Sequence, residues 1–283
     1  MISQVTPEAR KTMAPQGSRR RLVPARIALF TFSMKLVRLS ALATFAALAA
    51  GMTHASASAS CGPATSEERT YLVCAYPRGA DIRTFFADPD GEPFGTFTSV
   101  SEALAARGEK LVFAMNGGMY HPDYKPVGLY VEGGVQQKSA NQSAGAGNFS
   151  MKPNGVFYVQ RNGEAGVMET GRFVARRMNV AYATQSGPML VIDGRLHPRI
   201  REDGTSRKIR NGVAVCNDGQ TRFAISNEPV TFFEFATLFS DTLGCRNALY
   251  LDGTISAVYA PAVNRHDRWR PMGPIIGVVE KGR

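Results

Sequence analysis

Two short apolar segments, each ending at a small polar residue that is followed by glycine, most constrain how this chain can fold. Residues 111–115 run directly into Asn116, and residues 248–251 run directly into Asp252. Their length and composition predict buried strands, and the following glycine allows a sharp turn or a close approach to a ligand. If the two strands are neighbours, their ends form a polar cleft that contains a carboxamide and a carboxylate. The alternative is a pair of ordinary tight turns.

Each of these strands follows a segment whose sequence predicts a helix. Both segments begin with a capping box, in which a Ser or Thr side chain and a glutamate three residues later satisfy the first turn. The pattern predicts one helix over residues 99–107, capped by Ser99, and a second over residues 231–243, capped by Thr231. The chain therefore contains two helix-then-strand units about 130 residues apart.

The remaining segments predict sheet rather than further helices. Short apolar runs are followed by turn pairs that end in Gly133, Gly163 and Gly194, which is typical of β-hairpins. We therefore expect an α+β fold, with a single domain dominated by mixed or antiparallel sheet and about two main helices.

A leader is predicted over residues 1–59. The residues from Met34 onward have the order of a secretory signal peptide. A basic stretch comes first, then an apolar run too short to span a bilayer, and then small-residue cleavage sites. We expect translation to start at Met34 and the signal to cover residues 34–59; a long basic N-terminal region is the alternative. The expected product is a periplasmic or secreted bacterial protein whose functional domain spans residues 60–283.

The basic charge of the chain belongs largely to this leader. The full sequence has 33 Lys and Arg against 23 Asp and Glu; residues 1–59 hold 8 and 1 of these, which leaves 25 and 22. A net charge of +3 on the domain gives no reason to expect a nucleic-acid partner. We expect no stable membrane span in the mature protein, and about 224 residues suffice for one full hydrophobic core.

All four cysteines lie after the leader, so they would meet an oxidising compartment. Four cysteines allow three pairings. We favour Cys61 with Cys74 and Cys216 with Cys245, because these bonds close the shortest loops and the first ties the N-terminal tail to the first strand. No Cys-x-x-Cys spacing is present, which argues against zinc.

Five motifs in this order carry a resemblance to a known family: Asn116-Gly117-Gly118-Met119-Tyr120, Pro153-Asn154-Gly155-Val156-Phe157, Gln185-Ser186-Gly187-Pro188-Met189-Leu190, Arg207-Lys208-Ile209-Arg210-Asn211-Gly212-Val213 and Leu251-Asp252-Gly253. Together they resemble the phosphodiester glycosidase family, in its bacterial exported branch, over about residues 70–280. One departure is that many members have Asp-Gly-Gly-Gly-Ser where this chain has Asp252-Gly253-Thr254-Ile255-Ser256. Two fewer glycines stiffen this loop and narrow or alter the expected substrate site.

The resemblance implies a hydrolase that breaks the bond between a sugar and a phosphate. Phosphate is a good leaving group, so the chemistry needs a cation near it more than a strong acid. Arg210 matches the arginine of the family motif, and Arg207 lies three residues before it; a solvated loop is the alternative for both. Asp252 is expected to act as nucleophile or as base toward water. Asn116 completes the expected catalytic set by donating to a sugar hydroxyl or to the phosphate.

Further residues are expected to contact the substrate. The amides of Gly117 and Gly118 could form an anion-binding nest, and His121 could donate a proton or contact the leaving group. Ser186 and Gly187 supply a hydroxyl and an amide ahead of a strand, although no serine-hydrolase context surrounds them. The complete substrate-binding set is Gly117, Gly118, His121, Ser186, Gly187, Arg207 and Ser256.

The sequence leaves metal binding and the reaction class open. No cofactor is expected to be required; Asp252, Asn116 and nearby carbonyls could hold calcium, but no Asp-x-Asp-x-Asp loop is present. The expected partner is a carbohydrate or a glycosyl phosphate in envelope or exogenous glycans. Two alternatives remain: a phosphodiesterase that attacks phosphorus in the same linkage, and a non-catalytic glycan-binding domain.

Overall fold

Three antiparallel sheets share one hydrophobic core in the computed structural model of the chain, which describes residues 58–253, 255–267 and 270–282. Nearly all of the predicted leader, including the proposed start at Met34, lies outside the described residues and stays a prediction. Every strand pair is antiparallel. The predicted fold class, a sheet-dominated α+β domain, is confirmed.

The largest sheet has seven strands, numbered here by their order in the chain. Its hairpins and meanders bury one face on the common core and the other on the longest helical segment. Across the sheet the order is β1 (Ser60–Ser66), β2 (Arg69–Tyr76), β13 (Thr221–Ser226), β12 (Asn211–Val215), β14 (Asn247–Tyr250), β10 (Met189–Ile192) and β11 (Arg195–Leu196).

The other two sheets have five strands each. The second contains the strand that ends at Asn116, and its order is β16 (Arg265–His266), β15 (Val258–Ala260), β4 (Glu109–Asn116), β17 (Ile275–Lys281) and β3 (Ile82–Phe85). The order in the third is β6 (Val135–Lys138), β5 (Tyr130–Glu132), β9 (Val180–Ser186), β7 (Gly155–Gln160) and β8 (Ala165–Glu169).

The three sheets meet where their apolar faces point inward. Phe113 on β4, Phe157 on β7 and Phe223 on β13 are fully buried, and the Phe223 ring centroid lies 4.8 Å from that of Phe113 and 6.0 Å from that of Phe157. Each of these rings comes from a different sheet. Burial of such side chains contributes about 2–3 kcal/mol apiece and fixes the relative placement of the strand ends.

The helices are few and short. They are α1 (Phe97–Ala105), α2 (Thr170–Ala175) and α3 (Phe232–Thr237), which continues into a π-helical turn at Leu238–Thr242; a 3-10 turn covers Pro261–Val263. The predicted capping box at Thr231 is confirmed, with reciprocal bonds between Thr231 and Glu234.

The predicted start of α1 at Ser99 is wrong. The cap is Thr96, whose hydroxyl accepts a hydrogen bond from the Ser99 amide at 3.0 Å. The helix begins earlier because Phe97, at its first position, is 2 % exposed and packs in the core. A side chain buried by tertiary contacts thus extends the helix beyond the capping box that the sequence indicated.

Both predicted disulfides form, Cys61 with Cys74 and Cys216 with Cys245. The first joins directly opposed residues of β1 and β2, and the second ties the end of β12 to the segment before β14. Among the described residues no helix is long and apolar enough to cross a membrane.

Candidate active site

Asn116 and Asp252 come together although their strands belong to different sheets. The two strands are not neighbours: β14 lies between β12 and β10, and β4 lies between β15 and β17. The link is Asn211, the first residue of β12. Its Nδ2 donates to Asn116 Oδ1 at 2.6 Å, and its Oδ1 accepts from the Asp252 backbone amide at 3.2 Å. One carboxamide therefore joins the two strand ends.

Asn116 is almost completely buried, at 1 % exposure. Its Oδ1 accepts a second hydrogen bond, from the Ala257 amide at 2.9 Å, whereas its Nδ2 has no partner among the described residues. Buried donors are rarely left unsatisfied, so this nitrogen is an unused donor beside the two joined strand ends.

The backbone on both sides of Asp252 is fixed by side chains from other elements. The buried Ser186 hydroxyl donates to the carbonyl of Leu251, and the Ser256 hydroxyl lies 2.8 Å from the Asp252 carbonyl and 3.0 Å from that of Ile209. Asp252 itself is 9 % exposed. The backbone that carries the Asp252 carboxylate is thus fixed, and the residue is close to solvent.

Two tyrosines lie within electrostatic range of the Asp252 carboxylate. Burial, and then the charge of Asp252, raises the pKa of Tyr120 to about 12. Burial likewise raises the pKa of Tyr250, which Asp252 raises further and Arg210 lowers. Both phenols therefore stay protonated at neutral pH, and the hydroxyl of Tyr120 donates to the Pro271 carbonyl at 3.3 Å.

A cavity of about 610 Å³ opens beside the Asp252 loop. Its volume is in the range of small-molecule sites. The lining residues are Lys208, Ile209, Ser226, Asn227, Gly253, Ile255, Ser256, Arg265, Asp267 and Arg270. The lining contains three cations against one carboxylate, which favours an anionic ligand such as a phosphate.

The three cations differ in how they are held. Arg265 donates to Asn227 at 2.8 Å and contacts Asp267 at 3.4 Å, so its guanidinium is fixed. Lys208 and Arg270 make no side-chain hydrogen bond or ion pair with the described residues. These two charges are free to meet an incoming phosphate. The neighbouring Arg268 and Trp269 lie outside the described residues.

Arg210, predicted to reach the phosphate, is fully buried instead. Its guanidinium lies 3.6 Å from the Phe232 ring centroid and 5.5 Å from that of Tyr250, and it donates to the carbonyls of Val230 and Ser206 at 2.9 and 2.8 Å. It does not line the cavity. Burial lowers the pKa of Arg210, but guanidinium remains charged at any ordinary pH.

Arg207, also predicted to bind phosphate, is paired with Glu234. Its two terminal nitrogens contact both carboxylate oxygens of Glu234 at 2.8–3.1 Å, and Arg69 contacts the same carboxylate at 3.1 Å. Burial of Glu234 opposes ionisation, but the Thr231 amide and the two arginines hold its pKa at about 2. Arg207 is therefore a structural ion-pair partner.

The predicted anion nest at Gly117 and Gly118 does not form. The Gly117 amide donates to the Pro274 carbonyl at 2.6 Å, and the Gly118 amide donates to the Thr184 hydroxyl at 3.1 Å. Both donors are therefore used internally. Glycine is required here for close approach, because a Cβ at position 118 would overlap the carbonyl oxygen of Gln185.

Three further predicted residues lie near these strand ends or on the surface. Ser186 is buried and supports Leu251, as described above. Gly187 packs against the Phe149 carbonyl, where a Cβ would lie only 2.9 Å from the oxygen. His121 is exposed in a turn in which its carbonyl accepts from the Tyr124 amide at 2.8 Å. His121 is not among the described residues that line the cavity beside Asp252.

Among the described residues no group of three or more His, Cys, Asp or Glu side chains is arranged to hold a metal ion. The oxygen of Asn116 that was expected as a possible calcium ligand already accepts two hydrogen bonds.

Sequence reasoning missed Asn211, Lys208 and Arg270 as site residues. The first two stand inside the Arg207–Val213 motif and could have been found there; Arg270 carried no local signal.

Sequence comparison identifies relatives of this chain. The sequence profile of the phosphodiester glycosidase family matches residues 109–279. The uncharacterised protein YigE of Escherichia coli strain K12 is 35 % identical over 216 residues, covering 75 % of this chain and 84 % of that protein. The residues matched by the family profile include Asn116, Asn211 and Asp252.

Solved structures share the fold. The zebrafish N-acetylglucosamine-1-phosphodiester alpha-N-acetylglucosaminidase catalytic domain, auto-inhibited by its pro-peptide, aligns with a TM-score of 0.53 at 11 % identity, covering 78 % of this chain and 82 % of that chain. A hypothetical protein from Synechocystis aligns with a TM-score of 0.51 at 15 % identity, covering 78 % and 61 %. At such identities the likeness establishes a common fold alone.

Proposed function

The chain belongs to the phosphodiester glycosidase family, and from this premise we propose that it is an exported hydrolase that cleaves the sugar–phosphate bond of glycosyl phosphodiesters in envelope or exogenous glycans. The observation that carries the proposal is that the carboxylate of Asp252 directly precedes Gly253, which lines a cavity containing two cations without an ion-pair partner among the described residues. A sugar phosphate needs both groups side by side.

The positions of the charged and polar groups suggest how a substrate would bind in the cavity. Lys208 and Arg270, with Arg265 fixed behind them, would contact the phosphate oxygens. The Asn116 amide nitrogen, which lacks a partner, would donate to a hydroxyl of the sugar or to the bridging oxygen. Protonated Tyr120, whose hydroxyl donates to the Pro271 carbonyl at 3.3 Å, would accept a hydrogen bond from the sugar or from the attacking water.

In the proposed reaction a water oxygen attacks the anomeric carbon while Asp252 accepts a proton from that water. The bond from the anomeric carbon to the phosphate oxygen breaks, and its electron pair leaves with the phosphate. The products are a free sugar and a phosphomonoester. Phosphate leaves without prior protonation, so one carboxylate suffices where ordinary glycosidases use two. In a two-step variant Asp252 attacks the anomeric carbon first and water then hydrolyses the glycosyl-enzyme.

The alternative reaction class, attack of water on phosphorus, uses the same cations and is the second candidate. A non-catalytic glycan-binding role is the third, because Ile255 stands at the cavity where many members of the family have glycine. We favour attack at carbon because Asn211 joins Asp252, a carboxylate, to Asn116, so that a base or nucleophile stands beside a group able to bind the sugar. We further propose that no metal is required, so that a chelator leaves turnover unchanged.

Export is part of the proposal. Two disulfides fit an extracytoplasmic protein, since such bonds persist in oxidising compartments. The leader predicted over residues 1–59 would direct the chain out of the cytoplasm. N-terminal sequencing of the protein recovered from the periplasm or medium should give a start near residue 60, and recovery of the uncleaved chain from the cytoplasm would contradict it.

Isotope labelling distinguishes the bond that is broken. Turnover of a sugar-1-phosphodiester in oxygen-18 water should place the label on the sugar, as read by mass spectrometry of both products. Label on the phosphate would assign the protein to the phosphodiesterases. Binding without turnover of any glycosyl phosphodiester would support the non-catalytic alternative.

A further inference from the structure

Two buried polar atoms that lack a hydrogen-bond partner among the described residues lie on the face of the largest sheet that packs against α3. They are Nη1 of Arg210 and the hydroxyl oxygen of Tyr250. Both side chains are fully buried, and the guanidinium carbon of Arg210 lies 5.5 Å from the centroid of the Tyr250 ring. Unsatisfied buried polar groups are rare in native proteins, so each calls for a physical explanation. The proposed mechanism uses neither atom.

The strand register places Asp252 beside these two groups. In the antiparallel pair of β12 and β14, Gly212 is opposite Tyr250, and a backbone hydrogen bond of 3.1 Å at the next pair shows that the pairing continues. The same register, continued by two residues from Gly212, places Arg210 opposite Asp252. Because alternate residues of an extended strand share a face, Arg210, Tyr250 and Asp252 project from the same side of the sheet.

The Tyr250 hydroxyl also contacts the turn that follows Asp252. A Cβ added at Gly253 would overlap this hydroxyl, so glycine is required for the phenol to pack against the turn. Burial is the main cause that raises the pKa of Tyr250, whereas Arg210 lowers it and Asp252 raises it further. The hydroxyl is therefore within electrostatic range of both a buried cation and a carboxylate.

Other titratable groups face this set from the neighbouring elements. Glu234 on α3 acts on Arg210, but its carboxylate is bound by two other arginines. Tyr120, from the segment after β4, is within range of Asp252, but its hydroxyl donates to a backbone carbonyl. From the solvent side the turn faces the two exposed cations of the cavity, Lys208 and Arg270. Tyr250 is thus the group placed to connect the buried cation with the carboxylate.

We propose, on the premise of the hydrolysis proposed above, that Tyr250 is a positioning residue that links the buried charge of Arg210 to the Asp252 carboxylate and favours its ionised form. In the proposed arrangement Nη1 of Arg210 donates to the phenol oxygen, and the phenol hydroxyl donates to the carboxylate. This chain satisfies both buried atoms that lack a partner. It also gives the buried cation a role in the reaction without contact with the substrate.

The first test is the pH at which the Asp252 carboxylate titrates, measured by carbon-13 NMR on the folded protein labelled at its aspartate carboxyl carbons. Asp252→Asn identifies the signal. Tyr250→Phe removes a donor to the ionised form, so the titration midpoint should rise by about one pH unit. Tyr158→Phe is the matched control, because this buried phenol also packs against a glycine, Gly166, but lies on β7 in another sheet. It should leave the midpoint unchanged, and an unchanged midpoint in Tyr250→Phe would overturn the proposal.

A second variant reaches the same contact from the turn. In Gly253→Ala the added Cβ would displace the Tyr250 hydroxyl, so the titration midpoint of Asp252 should rise in this variant too. The double variant with Tyr250→Phe should rise no further than the larger of the two single changes, because both remove one interaction. Circular dichroism and urea unfolding check that each variant is folded. Rises that simply add would contradict the shared contact.

Kinetics distinguish this proposal from the proposed reaction itself. With a small sugar-1-phosphodiester, the acid limb of kcat/KM should move to higher pH in Tyr250→Phe by the same amount as the NMR midpoint, with KM above that limb unchanged. A shifted NMR midpoint with an unshifted limb would overturn the role of Tyr250 in the reaction. Absence of turnover of any glycosyl phosphodiester by the wild type would refute the reaction itself. The NMR titration needs no turnover, so it decides the link between Tyr250 and Asp252 in either case.

Discussion

Asn211 joins Asn116 to the strand end that carries Asp252: its Nδ2 lies 2.6 Å from Asn116 Oδ1, and its Oδ1 accepts from the Asp252 amide at 3.2 Å. The oxygen and the nitrogen of the fully buried Asn211 carboxamide therefore both form hydrogen bonds. The three residues come from three strands in two sheets, so the geometry of the site depends on how those sheets pack.

Replacing Asn211 should therefore affect stability and activity together. Asn211→Ala leaves the buried Asp252 amide without its acceptor and removes a donor from Asn116, which should lower the free energy of unfolding by about 1–3 kcal/mol. Urea unfolding and turnover are the measurements. Asn179→Ala, an exposed asparagine that accepts from Arg161, is the control and should change stability by less than about 0.5 kcal/mol. Equal losses of stability and activity in the two variants would show that Asn211 does not act as a bridge between the strand ends.

Asp252→Asn isolates the carboxylate from the fold. The substitution keeps size and shape, so unfolding should be little changed, while turnover should fall by about three orders of magnitude because no base or nucleophile remains. Asp203→Asn, at an exposed Arg201 ion pair, is the matched control and should retain full activity. Retention of activity by Asp252→Asn would exclude the proposed mechanism.

Lys208 and Arg270 should act on substrate binding. Lys208→Ala and Arg270→Ala each remove an unpaired charge from the cavity, so KM should rise about tenfold with little change in stability, and the salt dependence of kcat/KM should weaken. Steady-state kinetics at several ionic strengths checks this. The control is Lys281→Ala at the exposed end of β17. Unchanged KM in both cavity variants would show that the phosphate binds elsewhere.

Arg210 should behave as a core residue. Arg210→Ala removes a side chain stacked on Phe232 together with its hydrogen bonds to the Ser206 carbonyl and to the Val230 carbonyl, which keeps the Lys208 amide as donor, so we expect a loss of about 3 kcal/mol or more in unfolding free energy. Arg201→Ala, which breaks only an exposed ion pair, should cost less than about 1 kcal/mol. A stable Arg210→Ala variant with impaired phosphate binding would instead support direct binding of the phosphate by Arg210, as inferred from the motif.

Glu234 should make the fold sensitive to acid. Its folded pKa of about 2 lies below the value of 4.5 for a free side chain, so ionised Glu234 stabilises the fold above pH 4.5, and that contribution is lost as the pH falls toward 2. The stability difference between the wild type and Glu234→Gln should therefore shrink between pH 6 and pH 3 in urea unfolding. Glu102→Gln, at an exposed position on α1, is the control. A difference that is constant with pH would contradict the assignment.

Much of the fold could be predicted from local patterns. The hairpins at Gly133, Gly163 and Gly194, the capping box at Thr231 and both disulfides follow from signals a few residues long or from loop length. Local signals failed where packing competed with them, as at the start of α1, where burial of Phe97 moved the helix N-terminus to Thr96.

The sequence by itself determined where the two key strands stop, β4 at Asn116 and β14 just before Asp252, because a polar residue and a glycine after an apolar run favour a turn. Tertiary structure alone decided what surrounds them. The Arg207–Val213 motif contains cations and a carboxamide in adjacent positions, and successive residues of an extended chain face opposite sides. Hence only the packing of three sheets determined that Arg210 is buried against Phe232, that Arg207 pairs with Glu234, and that Asn211 and Lys208 lie at the site.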